Sequence, residues 1–359
     1  MARTAASEAT ARRVTEATGA ACEADQDAEV ARLEREGAAP GPGPAVQLVS
    51  AGGAMVPLVG GRWGEVKTLA IGTVEGDGAG GTRTTALSYF SRLTDAATFG
   101  RLALGEFQRR GTDAAGVVVG PMDGSEWLQK LLGRHCPRAV RILDFPHGVE
   151  HLAVAARATF GAEAAEAEAW LAEQAHVLKH HAPDAVLAEL RGLPTARARD
   201  PAAAAAARDA TLGYLEARRD QIRYAEFLAR GYPIASGCIE SANKLVVEAR
   251  LKGSGMHWAP ARVNPMLALR TVVCNDRWDE AWPRACARRR ADDHDRRLAR
   301  HRARRPPPPP PPPARPAAPP PGRPTPAPRP PRIVDGRPTK AHPWNRRFLL
   351  DRQPAHTKL

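Results

Sequence analysis

No stretch of about eighteen consecutive apolar residues occurs anywhere in the 359-residue chain, so no membrane-crossing helix is expected. The opening segment, MARTAASEATARRVTEATGAA, lacks the apolar centre of a secretory signal. Cysteine is sparse. The five thiols (Cys22, Cys136, Cys238, Cys274, Cys286) are scattered, odd in number and never spaced as CxxC, which argues against a zinc ribbon or a disulfide framework and favours a reducing cytoplasm. No internal repeat is visible. What remains is an ordinary apolar fraction on a chain long enough for one large domain with appendages, or for two modest domains.

Charge is unevenly placed. The formal net charge is +13, but residues 284–359 hold 20 Lys and Arg against 5 Asp, a net +15, whereas the 283 residues before them hold 32 basic against 34 acidic, a net −2. A near-neutral body with a basic end points to a polyanionic partner, nucleic acid foremost; a charged, solvated tail with no partner is the plainer alternative.

Along the chain, residues 1 to about 38 are rich in Ala, Glu and Arg and read as one or two polar helices, closed by the Gly/Pro linker GAAPGPGPA. AVQLVS, AMVPLVGG and EVKTLAIGTVEG are short β-rich runs divided by glycine, the pattern of an antiparallel meander. TDAATFGRLALGEFQRRG has helical spacing. GVVVGPMDG reads as a buried strand ending in Asp123, SEWLQKLLGRHC as a short helix begun near Ser125, and AVRILDFPH as a second buried strand ending in Asp144 and His147. Residues 149 to about 230 carry no strand signal and read as several helices. The next helix is capped by Ser236 and stopped by Gly253 and Gly255, and a last one covers about 260–283. From 284 the chain turns arginine-rich, then runs through eight prolines (306–313) into a Pro/Arg-rich stretch that is expected to be extended or disordered.

The carboxylates are the chemistry to weigh. Asp123 and Asp144 stand at the ends of apolar strands, where sites collect in open α/β sheets, though a polar residue there can simply begin a loop. Glu240 sits inside a helix with Lys244 at i+4; a surface ion pair is the bland reading. The face shared by Glu240, Asn243, Lys244 and Val247 mixes polar and apolar groups, which suits the edge of a cleft better. His147 and His151, one turn apart, allow a zinc site, with packing at the rim the simpler account. His176, His180 and His181 read as surface residues. Trp127, Trp170, Trp278 and Trp282 read as core, and Trp258, near Arg250 and Lys252, as a DNA-facing loop or a packed turn.

Four blocks, VSAGGAMVPLVGGRWGEVKTLAIG, MDGSEWLQ, ILDFPHGVEHL and YPIASGCIESANKLVVEARLKGSGMHW, resemble the bacterial insertion-sequence transposases of the ISKra type, relatives of the Mutator-like transposases; the likeness runs from near residue 4 to about 283 and resumes at GRPTKAHPWNRRF. The resemblance implies an RNase H-like α/β fold, a mixed sheet flanked by helices, with an all-helical insertion (about 149–232) before the last catalytic helix. Composition and resemblance together lead to an expectation of three parts: an N-terminal helical remnant and linker (1–44), the RNase H-like domain (45–283) and a basic, proline-rich, disordered tail (284–359). It implies that Asp123 and Glu240 are catalytic metal ligands and that Asp144 and His147 form the family's Asp-x-x-His signature. Where the family pattern reads Ser-Val-Asp-Gly-Ala-Met, this chain reads Ser50-Ala51-Gly52-Gly53-Ala54-Met55, so Gly52 stands at the position of the first catalytic Asp. Glu65 and Asp77 are the nearest carboxylates in sequence.

The expected function is metal-dependent DNA strand cleavage and transfer with Mg²⁺ or Mn²⁺, impaired by the missing carboxylate; the alternative is a non-catalytic DNA-binding protein derived from a transposase. The expected partners are transposon ends and target DNA in a cytoplasmic, nucleoid-associated setting, and a second copy of the chain. Lys244, Arg250, Lys252, Arg288, Arg289, Arg290, Arg296 and Arg297 are the candidate DNA contacts. Relatives are expected to carry a DNA-recognition domain ahead of residue 1, so the chain is expected to be cut short there.

Overall fold

The computed structural model describes residues 7–37, 41–78, 81–304 and 333–338. Its first element is a long helix, α1 (Glu8–Glu36), begun by Ser7, whose hydroxyl accepts from the Thr10 N–H. Three long strands follow: β1 (Val46–Leu58), β2 (Arg62–Gly76) and β3 (Thr82–Leu93). Then come α2 (Ala96–Leu102), α3 (Leu104–Arg109), β4 (Val117–Met122), α4 (Glu126–His135) and β5 (Val140–Leu143). The architecture is α/β: one open, mixed sheet ordered β3-β2-β1-β4-β5, antiparallel from β3 to β1 and parallel from β1 to β5, flanked by helices.

Side-chain alternation along β1 divides the core between the two faces of the sheet. Val49 and Ala51, with Leu69 and Ile71 of β2, pack on Phe99 and Leu102 of α2 and on Leu128 and Leu132 of α4. Ala54 and Val56, with Val66 and Ala70, pack on Ile239, Val246, Val263 and Leu267 from the later helices. The two runs AVQLVS and AMVPLVGG, expected as separate elements, are one strand. Gly52 and Gly53 keep extended pairing opposite Thr68 and Lys67, so the ladder is not interrupted. The reversal comes instead at Gly60 and Gly61, whose φ values of 78° and 70° are the left-handed turn that glycine accepts without a Cβ clash.

After β5 the chain is helical: α5 (Phe145–Phe160), α6 (Ala165–His180), α7 (Pro183–Arg191), α8 (Pro201–Glu216) and α9 (Tyr224–Ala229). These close a second core around Leu143, Leu152, Leu178, Leu190, Leu215 and Tyr224. The chain then forms α10 (Gly237–Ala242), which continues as one π-helical segment (Asn243–Glu248) into α11 (Ala249–Leu251). Last come α12 (Pro260–Cys274) and α13 (Trp278–Arg304).

α1 is built into this body and crosses α12 closely. A Cβ on Gly19 would fall on the Pro265 carbonyl oxygen, well inside contact distance. Arg92 of β3, 1% exposed, reaches α1 through Gln26 (2.7 Å) and Asp27 (3.4 Å). α12 also closes the outer side of β3, an edge of the sheet. The amide of Asn264 accepts from the Leu93 N–H (2.7 Å) and donates to the Leu93 carbonyl (3.3 Å). Asn275, just past the helix, does the same for Tyr89 at 2.8 and 2.9 Å.

Two expectations for the C-terminal part change. The helix expected over 260–283 is broken at Asn275–Arg277, and α13 continues to Arg304, past the point where an extended basic tail was expected to begin. Its anchoring explains this: Ala285 is fully buried against Ala21, Cys22 and Ala268, and Arg288 pairs with Asp25 of α1 at 2.5 Å. Trp278 and Trp282 are not core. They stack on each other (5.2 Å, 19°) and are 40% and 39% exposed, because the small residues Ala281 and Ala285 take the buried side of the helix. The chain divides into compact units 1–299 and 300–359. Within the second, Ile333–Val334 and Arg337–Pro338 form a minimal hairpin about Asp335 and Gly336, both at positive φ. The proline run lies outside the described residues.

Candidate functional site

Strands β1 and β4 pair in parallel at a constant offset, Val46 with Val117, Gln47 with Val118 and Leu48 with Val119. At the same offset the Ser50 hydroxyl donates to the Pro121 carbonyl oxygen at 2.7 Å. Continued by two residues, this register sets Gly52 level with Asp123. Asp123 follows the end of β4, which stops at Met122, as expected; Gly52 is mid-strand, because β1 keeps β2 as a partner as far as Leu58. Asp123 is exposed in the loop that follows β4.

The Glu240 helix lies across β1 at this point. A Cβ on Gly52 would stand 3.2 Å from Ile239 Cγ1, just before Glu240 in α10, and 3.8 Å from Asn243 Nδ2, three residues after it at the start of the π-helical segment. The Asn243 amide donates to the Gly53 carbonyl oxygen at 3.4 Å, while its Oδ1 is buried without a partner. Glu240 itself is exposed. The π-helical turn from Asn243 follows at once; such turns widen a helix locally and recur at functional sites. Cys238 is no thiolate here, since burial pushes its thiol up to about 11.

Asp144 organises this helix from beneath. Its carboxylate is buried, accepts from the His147 N–H (Oδ2, 3.2 Å) as the N-cap of α5, and accepts from the Ser236 N–H (Oδ1, 2.5 Å) at the start of α10. In the Asp-x-x-His signature it is therefore the backbone of His147 that meets Asp144. The His147 ring turns instead to Glu150 (3.3 Å) and lies edge-on to His151. Ser236, the expected cap of α10, makes no side-chain capping bond.

The Asp123 loop is held from the opposite direction. The Asp123 carboxylate accepts from the Ser125 N–H at 2.8 Å, a turn closed by the side chain. Tyr214 Oη donates to the Asp123 carbonyl (2.9 Å), and Arg218 Nη2 donates to the Gly124 carbonyl (3.0 Å). The Arg218 guanidinium lies 3.8 Å over the Tyr214 ring, whose other neighbour is the stacked His151 ring at 3.8 Å. Burial, with His147 and Arg218 nearby, holds His151 below its ordinary value. Tyr214 and Arg218 were missed in the sequence. They stand 91 and 94 residues from their partners and carry no local motif.

The fallback carboxylates do not reach this place. Glu65 lies on the Gly53 face of the sheet, opposite Gly52, and is paired with Lys67 at 2.6 Å. Asp77 closes the β2–β3 turn on Gly81, nine residues along β2 from Thr68 and hence about 30 Å away at the usual strand rise. Among the described residues no group of three or more His, Cys, Asp or Glu side chains is arranged to hold a metal ion. His176 and His180 adjoin on α6 without a third ligand.

The candidate DNA contacts separate into bound and free. Arg288 and Arg289 are tied to α1 through Asp25 and Thr18. Lys252 pairs with Glu248 (2.8 Å), Arg296 with Asp293 (2.5 Å), and Arg250 lies over Trp258 (5.4 Å). Trp258 is a packed turn: its backbone bridges to Pro57 and Val59, and its ring N–H donates to the Leu251 carbonyl. Lys244, Arg290 and Arg297 are exposed. No protein-family model matches this chain, and no curated protein matches it.

Proposed function

We propose that the chain is an RNase H-like, DDE-type DNA transposase of the ISKra insertion-sequence kind that binds DNA but carries a catalytic centre stripped of its first carboxylate. The observation that carries this reading is the contact of Gly52 with the helix that bears Glu240, on a strand whose offset to β4 runs on toward Asp123. The mixed sheet supports an RNase H-like assignment, and the uninterrupted run α5–α9 between β5 and α10 supports an all-helical insertion before the last catalytic helix.

When bound, a pair of Mg²⁺ or Mn²⁺ ions in such a centre activates the attacking oxygen and stabilises the leaving one. The donor set here does not fit a two-metal centre. Asp123 and Glu240 are exposed acceptors, Gly52 contributes none, and Asn243 is occupied in part by the Gly53 carbonyl. No reaction step is therefore assigned to this chain as it stands. Of the candidate contacts among the described residues, Lys244, Arg290 and Arg297 are exposed and open to phosphates of transposon or nucleoid DNA, the basic sequence beyond Arg304 adds further cations, and a second copy is the expected partner on two DNA ends.

The mismatch itself favours the second reading, a non-catalytic DNA-binding descendant of a transposase. The test is strand joining on pre-cleaved ends with Mg²⁺ or Mn²⁺, comparing the unmodified chain with Gly52→Asp. The unmodified chain is expected to give no product, and Gly52→Asp to recover part of the activity; the new Cβ stands 3.2 Å from Ile239 Cγ1, so the buried Ile239 side chain must shift by a few tenths of an ångström to admit it. Robust joining by the unmodified chain overturns the assignment of Gly52.

A further inference from the structure

Asp123 is exposed and sits in a loop, yet that loop is held more firmly than its position requires. Two donors from the α8 end of the helical run, Tyr214 and Arg218, take the carbonyls of consecutive residues, Asp123 (2.9 Å) and Gly124 (3.0 Å). Neither donor is free to wander. The Arg218 guanidinium is stacked on the Tyr214 ring, and a further nitrogen, Nη1, donates to the Tyr214 carbonyl at 3.2 Å; the opposite face of the ring is covered by His151 of α5. Planar, multi-donor arginine suits such a post because its fork is oriented before it binds.

The loop is shaped to receive these donors. Gly124 has a φ of 78°, and a Cβ there would stand 2.6 Å from Tyr214 Oη and 2.8 Å from Arg218 Nε. Glycine at 124 is thus demanded twice, by the backbone and by the approach of the two side chains. With both carbonyls fixed and the Ser125 N–H drawing in one carboxylate oxygen, the Asp123 side chain keeps a single direction.

We infer that Tyr214 and Arg218 are positioning residues for Asp123, through which the helical run sets the direction of that carboxylate. The inference rests on the proposed function for its meaning and on these contacts for its truth, and the two can fail separately. The first readout needs neither metal nor DNA. In the full chain with ¹³C-labelled aspartate, the Asp123 carboxyl signal, identified by Asp123→Asn, should move and broaden in Tyr214→Phe, which keeps the ring stack and removes one donor. It should do so again in Gly124→Ala, which pushes both donors away. Arg218→Lys should give an intermediate shift, and His176→Ala, on α6, none, with the melting temperature of Tyr214→Phe unchanged.

The second readout is Mn²⁺ affinity by electron paramagnetic resonance in the Gly52→Asp chain, where adding Tyr214→Phe should weaken binding by about 10- to 100-fold, as changes behind a ligand do. An Asp123 signal indifferent to Tyr214→Phe and Gly124→Ala overturns the inference, as does Mn²⁺ affinity in Gly52→Asp that ignores Tyr214→Phe. If Gly52→Asp binds no Mn²⁺ while the carboxyl signal still answers to Tyr214, the proposed function falls and the positioning role stands. Should Tyr214→Phe not fold, Arg218→Lys carries the same comparison.

Discussion

Replacing Asp144 by asparagine keeps the shape of the side chain and removes one of its two acceptors. The buried carboxylate accepts from the His147 and Ser236 N–H groups, joining the end of β5, the start of α5 and the start of α10. A hydrogen bond to a charged acceptor contributes about 1.5–3 kcal/mol, and a buried N–H left without a partner costs about 1–3 kcal/mol. Asparagine retains one bond in neutral form and turns its NH₂ toward the other N–H. Asp144→Asn should therefore destabilise the fold by about 2–4 kcal/mol, read as a lower urea midpoint with an unchanged slope. His147→Ala is the informative partner, because only the backbone of His147 meets Asp144; its cost should stay below about 1 kcal/mol. A loss under about 0.5 kcal/mol in Asp144→Asn, or equal losses in the two variants, would refute the bridging role.

Glycine 19 should not tolerate alanine: the new methyl meets backbone at Pro265, and a drop of about 2 kcal/mol or more in urea unfolding is expected, whereas Gly213→Ala, with open space inside α8, should gain about 0.5–1 kcal/mol. Burial holds His135 below its ordinary value of 6.5, against the opposing effect of its bond to the Gly100 carbonyl. The unfolded chain then binds that proton more readily than the folded one, so the stability involved is present above pH 6.5 and is lost as pH falls from there toward the folded pKa; His135→Gln should flatten that part of the profile, and an unaltered profile counts against the assignment. On DNA, neutralising about five phosphates gives a slope of log K against log salt near −4.5. Deleting residues 305–359, which spares the Ala285 and Arg288 anchors of α13, should flatten it; an unchanged slope would assign the affinity to the body instead.

Much of the sheet was legible because its signals are local. The apolar runs ending at Met122 and Leu143 mark β4 and β5, and the Asp144 turn could be placed from them. What was misread depended on partners distant in sequence. Gly52–Gly53 looked like a break, since glycine weakens a strand, but pairing to Thr68 and Lys67 on a neighbouring strand carries β1 through. Residues 284–304 have no apolar stripe, and their helix is secured by a single buried alanine and two arginines, Arg288 and Arg289, reaching α1. At the candidate site, Gly52, Asp123 and Glu240 could be proposed from their flanking sequence. The hold of Tyr214 and Arg218 on the Asp123 loop could not, because their partners are main-chain carbonyls, and any residue type at 123 supplies one.

The two asparagines on the outer side of β3 have a consequence for how copies of this chain can meet. A bare strand rim is a template on which another chain's strand can seed. At Tyr89 and Leu93 both the N–H and the carbonyl are already taken by Asn275 and Asn264, and the intervening Ser91 carbonyl receives the Arg92 guanidinium. A docking strand would have to displace three side chains before gaining its first ladder bond. Strand addition along Tyr89–Leu93 is thereby blocked without a single proline or bulge at those three positions, so a second copy meeting this part of the rim would find side chains where it needs main chain.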